Sequence, residues 1–194
     1  MAKEGRGGLE AIAATLPRGR RPPPVERWNP PFCGDIDMRI AADGTWFYQK
    51  TPIGRVALVR LFASVLKKEG ENYFLVTPVE KVGIKVEDAP FMAVEMTVGQ
   101  DERENRMLTF RTNVDDEVAA GPGHALRFEK EVTGGLRPYL HVRRDLWAKV
   151  TRALFYDLVA LGEERDVAGK RVFGVASGGE FFAMAEADTL KEFA

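Results

Sequence analysis

The chain has few cysteines, few histidines and almost no net charge. Its 194 residues include one cysteine and two histidines, and the formal net charge is −1. One cysteine cannot form an internal disulfide. A net charge near zero gives no overall attraction to nucleic acid, so we expect no nucleic-acid partner. No apolar run approaches the roughly 20 residues that cross a bilayer, so we expect no membrane span.

Motifs of several enzyme classes are also missing. The sequence contains no G-x-G-x-x-G, no G-x-x-x-x-G-K-[ST], no His-Glu-x-x-His and no Gly-x-Ser-x-Gly. The sequence therefore gives no positive support for a glycine-rich nucleotide-binding loop, a zinc hydrolase or a serine esterase. We expect no cofactor, no metal and no catalytic residue. Glu4 and Glu10 fit poorly with a secretory signal, so we predict a cytoplasmic protein.

The composition is that of a globular protein with room for two small domains. Apolar residues make up 45% of the chain and charged residues 29%, and domains commonly span about 100 to 150 residues. The N-terminal 31 residues predict a short helix at 9–16 and then a proline-rich extended arm.

A hairpin is predicted over residues 35–49. Apolar and charged side chains alternate along residues 35–40, as in a half-buried strand. Asp43-Gly44 is a strong turn signal and connects this strand to an aromatic one at 45–49.

Two amphipathic helices are predicted, at 53–69 and at 145–161, and each is followed by a glycine. Leu61-Phe62-x-x-Val65-Leu66 matches Leu154-Phe155-x-x-Leu158-Val159 at an offset of 93 residues, which indicates an internal duplication. Further strands are predicted at 73–77, 82–86, 91–98, 107–112, 126–132, 136–142, 171–176 and 180–185.

The pattern predicts an α+β fold of two related modules, each with antiparallel strands packed on one main helix. The segment 99–105 carries charges without periodicity, and we predict the boundary there. The modules would then be residues 1–98 and 99–194.

The motif text of the hairpin resembles a bacterial family of uncharacterised proteins, one of the numbered domains of unknown function. The similar stretches are Cys33-Gly34-Asp35-Ile36-Asp37-Met38, Asp43-Gly44-x-Trp46 and Pro52-Ile53, and the resemblance extends over nearly the whole chain from about Leu9. It implies an α+β chain with a duplicated core and a second domain similar to pleckstrin-homology-like rolls. It also implies a ligand or partner site between the domains and a role in signal transduction, without catalytic residues.

The first group of candidate ligand-binding residues lies on the hairpin. Cys33 would need a base to act as a nucleophile, and burial as a small apolar side chain is the favoured alternative. Asp35 and Asp37 share one strand face that could hold a cationic ligand or a divalent ion, and a solvated, salt-bridged face is favoured over this. Trp46 and Tyr48 share a face, where core packing is favoured over an aromatic wall beside the two carboxylates.

The second group is the sequence cluster Arg137, Tyr139, His141, Arg143 and Arg144, which precedes the predicted helix at 145–161. Cations at a helix N-terminus oppose the helix dipole unless an anion offsets them. The cluster therefore indicates a phosphate or carboxylate site. A surface salt-bridged to nearby glutamates is the favoured alternative.

The leading hypothesis is a non-catalytic binding or regulatory protein. Its partner would be a small molecule, for which an anion is one candidate, or a protein, bound between the halves. An alternative is a small-molecule enzyme that uses Cys33, or Asp35 and Asp37, with His141. A third alternative is an Arg18–Arg21 arm that contacts nucleic acid or membrane. Exposed strand edges leave a homodimer open.

Overall fold

The structure is a computed structural model that describes residues 13–14, 23–132 and 134–187. Residues 13 and 14 are helical. The rest of the helix predicted at 9–16 and the arginine arm at 18–21 lie outside the described residues.

The described residues divide into two compact units. The first holds the described residues up to Pro90 together with Arg144–Leu146. The second holds the described residues of 91–143 and those from Trp147 onward. The domain boundary predicted from the sequence lies later in the chain, after residue 98.

The first unit is a six-stranded sheet with one nine-residue helix. A short 3-10 turn, Val25–Arg27, precedes the first strand. The strands are β1 (Phe32–Ile40), β2 (Trp46–Tyr48), β3 (Thr51–Pro52), β4 (Leu66–Glu69), β5 (Asn72–Val76) and β6 (Lys81–Val86), and helix α1 (Val56–Ser64) connects β3 to β4. The sheet order is β3-β2-β1-β6-β5-β4, in which β1 and β6 run parallel and the other neighbours run antiparallel.

The core of the first unit forms between one face of this sheet and α1. Trp46 lies opposite Ile40 in the β1–β2 pair, and its ring stacks on Phe62 of α1 with centroids 6.4 Å apart. Ile40, Trp46 and Phe62 are all buried. Burying a large apolar side chain stabilises a fold by about 1.5–3 kcal/mol, so these contacts anchor the helix to the sheet.

The second unit contains two sheets and the helix α2. Its strands are β7 (Phe91–Gln100), β8 (Arg106–Thr112), β9 (Glu117–Ala119), β10 (Leu126–Lys130), β11 (Leu136–Arg143), β12 (Leu146–Val150), β13 (Glu163–Val167), β14 (Lys170–Ser177) and β15 (Glu180–Glu186), and α2 (Arg152–Ala160) connects β12 to β13. The sheet orders are β10-β11-β12-β7-β8-β9 and β13-β14-β15, and β12 and β7 run parallel.

Ser177, at the end of β14, joins the two sheets of the second unit. Its Oγ accepts a hydrogen bond from the backbone N–H of Leu108 on β8 at 2.8 Å and donates one to the carbonyl of Ala120 at 2.7 Å. Ser177 is fully buried. Because both backbone groups depend on this hydroxyl, the residue is a structural link within the unit.

Most of the predicted strands are confirmed. The eight strands predicted beyond the hairpin are all present, with ends that differ by at most two residues. The Asp43-Gly44 turn is confirmed too, since β1 and β2 pair antiparallel and Gly44 adopts φ +83°. Strands β14 and β15 pair antiparallel, and the turn before Glu180 connects them.

The first predicted helix is wrong beyond Ser64. The helix ends there, and residues 66–69 form strand β4. Leu66 lies opposite Leu75 of β5, and both are buried. The segment Leu-Lys-Lys-Glu has good helix propensity, but pairing with β5 and burial of Leu66 outweigh a preference of a few tenths of a kcal/mol per residue.

The start of the second predicted helix is also wrong. Residues 146–150 form strand β12, and α2 begins only at Arg152. Leu146, Ala148 and Val150 are buried while Trp147 and the lysine at 149 are half-buried, which is the two-residue period of a strand.

The charged segment 99–105 is a tight turn rather than a linker. Strands β7 and β8 pair antiparallel up to Gln100 and Arg106. The Asp101 carboxylate accepts the backbone N–H of Asn105 at 2.8 Å, which closes the turn. The charges cluster because the hairpin end faces solvent, so this segment does not divide domains.

The same order of elements occurs in both units. Three antiparallel strands, a nine-residue helix and three further strands appear as β1–β3, α1 and β4–β6, and again as β10–β12, α2 and β13–β15. The last strand lies beside the first in each series, since β6 pairs with β1 and β15 lies next to β10. The fold is mainly β with these helices, so the α+β class holds, and the repeated order supports an internal duplication.

Candidate functional site

The hairpin does not bring its aromatic and acidic candidates to one face. Directly opposed residues of an antiparallel pair share a face, and Trp46 and Tyr48 lie opposite Ile40 and Met38. Asp35 and Asp37 alternate with these apolar residues and are exposed. The aromatic wall beside two carboxylates is therefore wrong, while the core packing expected of Trp46 is confirmed.

Cys33 is exposed on β1, so its predicted burial is wrong. Its Sγ lies 3.5 Å from the carbonyl oxygen of Pro31, a weak contact. Both histidines of the chain belong to the second unit. The enzyme alternative with Cys33 or the aspartates and His141 stays a prediction.

A shallow cavity lies on the outer face of the first unit, where Gly83 of β6 leaves a gap in the side chains. We call it the Gly83 cavity; its volume is about 480 Å³. A β-carbon on residue 83 would lie 1.9 Å from Oδ1 of Asp35, so glycine makes room for this carboxylate. The cavity is also lined by Phe32, Asn72, Phe74 and Lys81.

The charges of the Gly83 cavity are largely balanced within the unit. Lys81 Nζ lies 2.9 Å from Glu69 and 4.8 Å from the ring centroid of Phe74. The rings of Phe32 and Phe74 meet edge to face at 6.0 Å. Of the candidate residues, Asp35 alone lines this cavity.

The second cluster of candidates lies on strand β11 and the turn after it, and not at a helix N-terminus. Arg137, Tyr139, His141 and Arg143 alternate along β11 and so share one face. Because α2 begins only at Arg152, none of these residues lies in its first turn, so the expectation that their charges oppose the helix dipole was wrong.

Aromatic and cationic groups form a stack around Tyr139 and His141. The Cζ atom of Arg127 lies 4.2 Å from the ring centroid of Trp147 and 5.2 Å from that of Tyr139. The His141 ring lies 5.1 Å from Trp147 and 5.7 Å from the ring of His124. These side chains hold neighbouring strands together, which is a structural role.

The last two arginines of the cluster are engaged in ion pairs. Arg143 pairs with Asp116. Arg144, in the turn after β11, pairs with Glu26 and donates a hydrogen bond to the carbonyl of Pro23 at 2.7 Å. Burial lowers the pKa of Arg144 from its usual value. The salt-bridged alternative therefore describes both residues.

A larger cavity in the second unit contains the remaining member of the cluster, Arg137. We call it the cationic cavity; its volume is about 520 Å³. Strands β11 and β12 and the start of α2 line it with Arg137, Lys149, Arg152, Phe155 and Tyr156, among others, and Glu131 lines it from the segment after β10. Such a volume lies within the range of about 300–1,000 Å³ that is usual for small-molecule sites.

Positive charge predominates in the cationic cavity. Arg137 Nε donates to Glu131 at 2.5 Å, and this carboxylate raises the pKa of Arg137. Arg152 donates to the Tyr156 hydroxyl at 3.0 and 3.1 Å, which raises the pKa of Arg152. Glu131 is the one acidic residue among the described lining residues, against three basic ones. The cavity is therefore suited to an anion.

Sequence reasoning missed Lys149, Arg152 and Tyr156. The helix predicted at 145–161 included Lys149 and Arg152, so neither was placed beside Arg137. The alternation of buried and half-buried residues from Leu146 to Val150 was the signal that would have placed Lys149 on a strand beside Arg137.

The described ranges contain neither a cluster of metal-ligating residues nor a helix that could span a membrane. No group of three or more His, Cys, Asp or Glu in these ranges could hold a metal ion. None of the helices there combines the length and the apolar character that crossing a bilayer requires. The ligand site between domains that the resemblance implies, a protein partner and a homodimer stay predictions.

Two family models together match most of the chain. One is described as "Domain of unknown function (DUF1285), N-terminal domain" and matches residues 23–89, and the other as "Protein of unknown function (DUF1285), C-terminal domain" and matches residues 90–184. No curated protein matches the sequence.

Two solved structures are similar. A DUF1285 family protein from Silicibacter pomeroyi DSS-3 is 50% identical, with a TM-score of 0.87, over 95% of this chain and 98% of the other. A DUF1285 family protein from Shewanella baltica OS155 is 30% identical, with a TM-score of 0.51, over 64% of this chain and 91% of the other.

Proposed function

The chain belongs to the DUF1285 family, and from the cationic cavity of its second unit we propose that it is a non-catalytic binding protein for a small anion. The anion carries a phosphate or carboxylate group. The single observation that carries the proposal is the cavity of about 520 Å³ with Arg137, Lys149 and Arg152 around it.

The basic groups approach the cavity from three different elements. Arg137 lies on β11, Lys149 on β12 and Arg152 at the first position of α2. Charge-assisted hydrogen bonds are about twice as strong as neutral ones, so basic side chains around the cavity favour a phosphate or carboxylate over a neutral ligand.

The start of α2 adds to this preference. The first turn contains no acidic residue, and Thr151 makes no side-chain capping hydrogen bond. The positive end of a helix dipole favours a nearby anion by about 0.3–1 kcal/mol. This contribution is smaller than that of the basic side chains and acts in the same direction.

We further propose a pleckstrin-homology-like fold for the second unit and a regulatory role for the protein. The second unit would be a pleckstrin-homology-like roll, which is supported by its two sheets joined through Ser177 and by the helix that follows six strands. Binding an anion without converting it suits a regulatory role in cytoplasmic signal transduction.

A titration with inorganic phosphate tests the binding function. Calorimetry and thermal unfolding are measured at constant ionic strength for the wild type and for the double variant Lys149→Ala/Arg152→Ala. We expect saturable binding that raises the Tm of the wild type. The double variant should bind at least about tenfold more weakly, since it loses two charge-assisted contacts.

The matched control is Arg60→Ala, which removes one positive charge from α1 of the first unit. It should bind phosphate as the wild type does. The proposal fails if phosphate does not bind to the wild type, or if the double variant binds it as well as the wild type does.

A further inference from the structure

We infer that the ligand of the cationic cavity is a free nucleotide-like phosphate, in which an aromatic ring is attached to the anionic group. This inference rests on the proposed function and names the class of ligand for the same site. It depends on two features that an anion alone does not explain, the size of the cavity and its aromatic wall.

The cavity is much larger than a phosphate ion. Its volume is about 520 Å³, and its lining includes basic groups on β11 and β12 and aromatic residues of α2. An inorganic phosphate held by the basic side chains would leave most of this space to solvent. A ligand that fills it has a substantial second part.

Aromatic rings form the wall next to the basic groups. Phe155 and Tyr156 both line the cavity, with ring centroids 6.3 Å apart. Tyr156 is 57% exposed, an unusual degree for a large ring. Stacking on an exposed aromatic side chain is a general way in which proteins bind nucleobases, because every base has a π-face.

Tyr156 is held in place by the basic residue one helical turn before it. Arg152 donates two hydrogen bonds to the Tyr156 hydroxyl, at 3.0 and 3.1 Å. The two residues are four apart in α2 and therefore lie on the same side of the helix. A phosphate near Arg152 and a ring against Tyr156 can thus belong to one small molecule.

The ligand is assigned as a free mononucleotide rather than the end of a nucleic acid. The formal net charge of the chain is −1, which gives no overall attraction to a polyanion. The adjoining face of β10 and β11 is also occupied by internal contacts, such as that between Arg127 and Trp147.

The test compares four ligands by calorimetry at constant ionic strength: inorganic phosphate, ribose 5-phosphate, adenosine 5′-monophosphate and a 5′-phosphorylated oligonucleotide. We expect adenosine 5′-monophosphate to bind at least about tenfold more tightly than ribose 5-phosphate, from stacking of the base. The oligonucleotide should bind no more tightly than the mononucleotide.

Two variants separate the ring from the hydroxyl. Tyr156→Ala should remove the preference for the mononucleotide over ribose 5-phosphate, while Tyr156→Phe, which keeps the ring but loses the hydrogen bonds from Arg152, should keep a smaller preference. Circular dichroism checks that both variants are folded.

Each contrary result has a distinct meaning. Equal binding of ribose 5-phosphate and adenosine 5′-monophosphate to the wild type overturns the inference and leaves anion binding standing. A preference that survives Tyr156→Ala overturns the stacking site, and tighter binding of the oligonucleotide overturns the free mononucleotide. If none of the four ligands binds, the proposed function fails as well.

Discussion

In both units three strands lead into a nine-residue helix and three more strands follow, yet the first helix begins with Val56 and the second with Arg152. The helix starts are 96 residues apart rather than the 93 of the sequence match, and, counted from them, the fifth residue is Arg60 in the first helix and Tyr156 in the second. A shared order of elements thus presents different chemistry at corresponding positions. The shared fold determines where side chains lie, and the identity of those side chains determines what each unit can bind.

The two cavities show the same contrast. In the Gly83 cavity Lys81 is paired with Glu69, and Asp35 contributes negative charge. In the cationic cavity three basic residues face one glutamate. We therefore assign anion binding to the second unit alone.

The largest expected effect is on the core of the first unit. Phe62→Ala removes a fully buried ring that stacks on Trp46, and we expect it to lower the free energy of unfolding by about 4 kcal/mol. Urea unfolding followed by circular dichroism measures the change.

The matched variant in the second unit is Leu158→Ala, in the core face of α2, where the residue is also fully buried. We expect it to lower the free energy of unfolding by about 3 kcal/mol, because it removes fewer atoms than Phe62→Ala does. A cost below about 1 kcal/mol for Phe62→Ala would contradict the packing of α1 on the sheet.

A smaller loss of stability is expected when the link between the two sheets of the second unit is removed. Ser177→Ala leaves the N–H of Leu108 and the carbonyl of Ala120 without their partner. Buried groups left without a hydrogen bond cost about 1–3 kcal/mol, so we expect a loss of about 2 kcal/mol in denaturant unfolding.

The control is Ser64→Ala at the end of α1. Its Oγ donates only to the carbonyl of Leu61, one helical turn earlier, and its loss should cost less than about 0.5 kcal/mol. If both serine variants lowered the free energy of unfolding equally, Ser177 would not be the structural link between the two sheets.

The smallest expected effect is on stability in acid. Hydrogen bonds from Arg39 and from the Ala42 N–H lower the pKa of Glu87 below its ordinary value of 4.5, and those from Thr45 lower the pKa of Asp43 below 3.8. A carboxyl whose pKa is lowered in the folded state stabilises the fold at pH values above its ordinary pKa. This contribution is lost as the pH falls through the pKa of the folded state.

The free energy of unfolding should therefore be steady near neutral pH and decline below about pH 4.5. Denaturant unfolding at several pH values measures this, and Glu87→Gln should show a weaker decline than the wild type. A stability that increases on acidification would refute the assigned interactions of these carboxylates.

Local patterns were enough to predict the strands and turns but not the ends of the helices. Alternation and turn residues gave the β1–β2 hairpin and β14–β15 because these depend on neighbours in sequence. Strand β4 depends on pairing with β5, where Leu66 meets Leu75. That contact is formed between elements, so helix propensity gave the wrong answer.

The candidate site was predicted only at Arg137. The sequence indicated it as a member of a basic cluster. The other arginines at the end of that cluster, Arg143 and Arg144, form ion pairs with residues far away in the sequence, Asp116 and Glu26. Single-sequence reasoning cannot pair such charges. Lys149 joins Arg137 only because β12 lies beside β11 in the sheet.

The most direct test is an NMR titration of the labelled protein with inorganic phosphate. We predict that the backbone signals that shift cluster at residues 135–138 and 149–156, around the cationic cavity. Shifts clustered instead at residues 72–85, around the Gly83 cavity, or no shifts at all, would contradict the assignment of anion binding to the second unit.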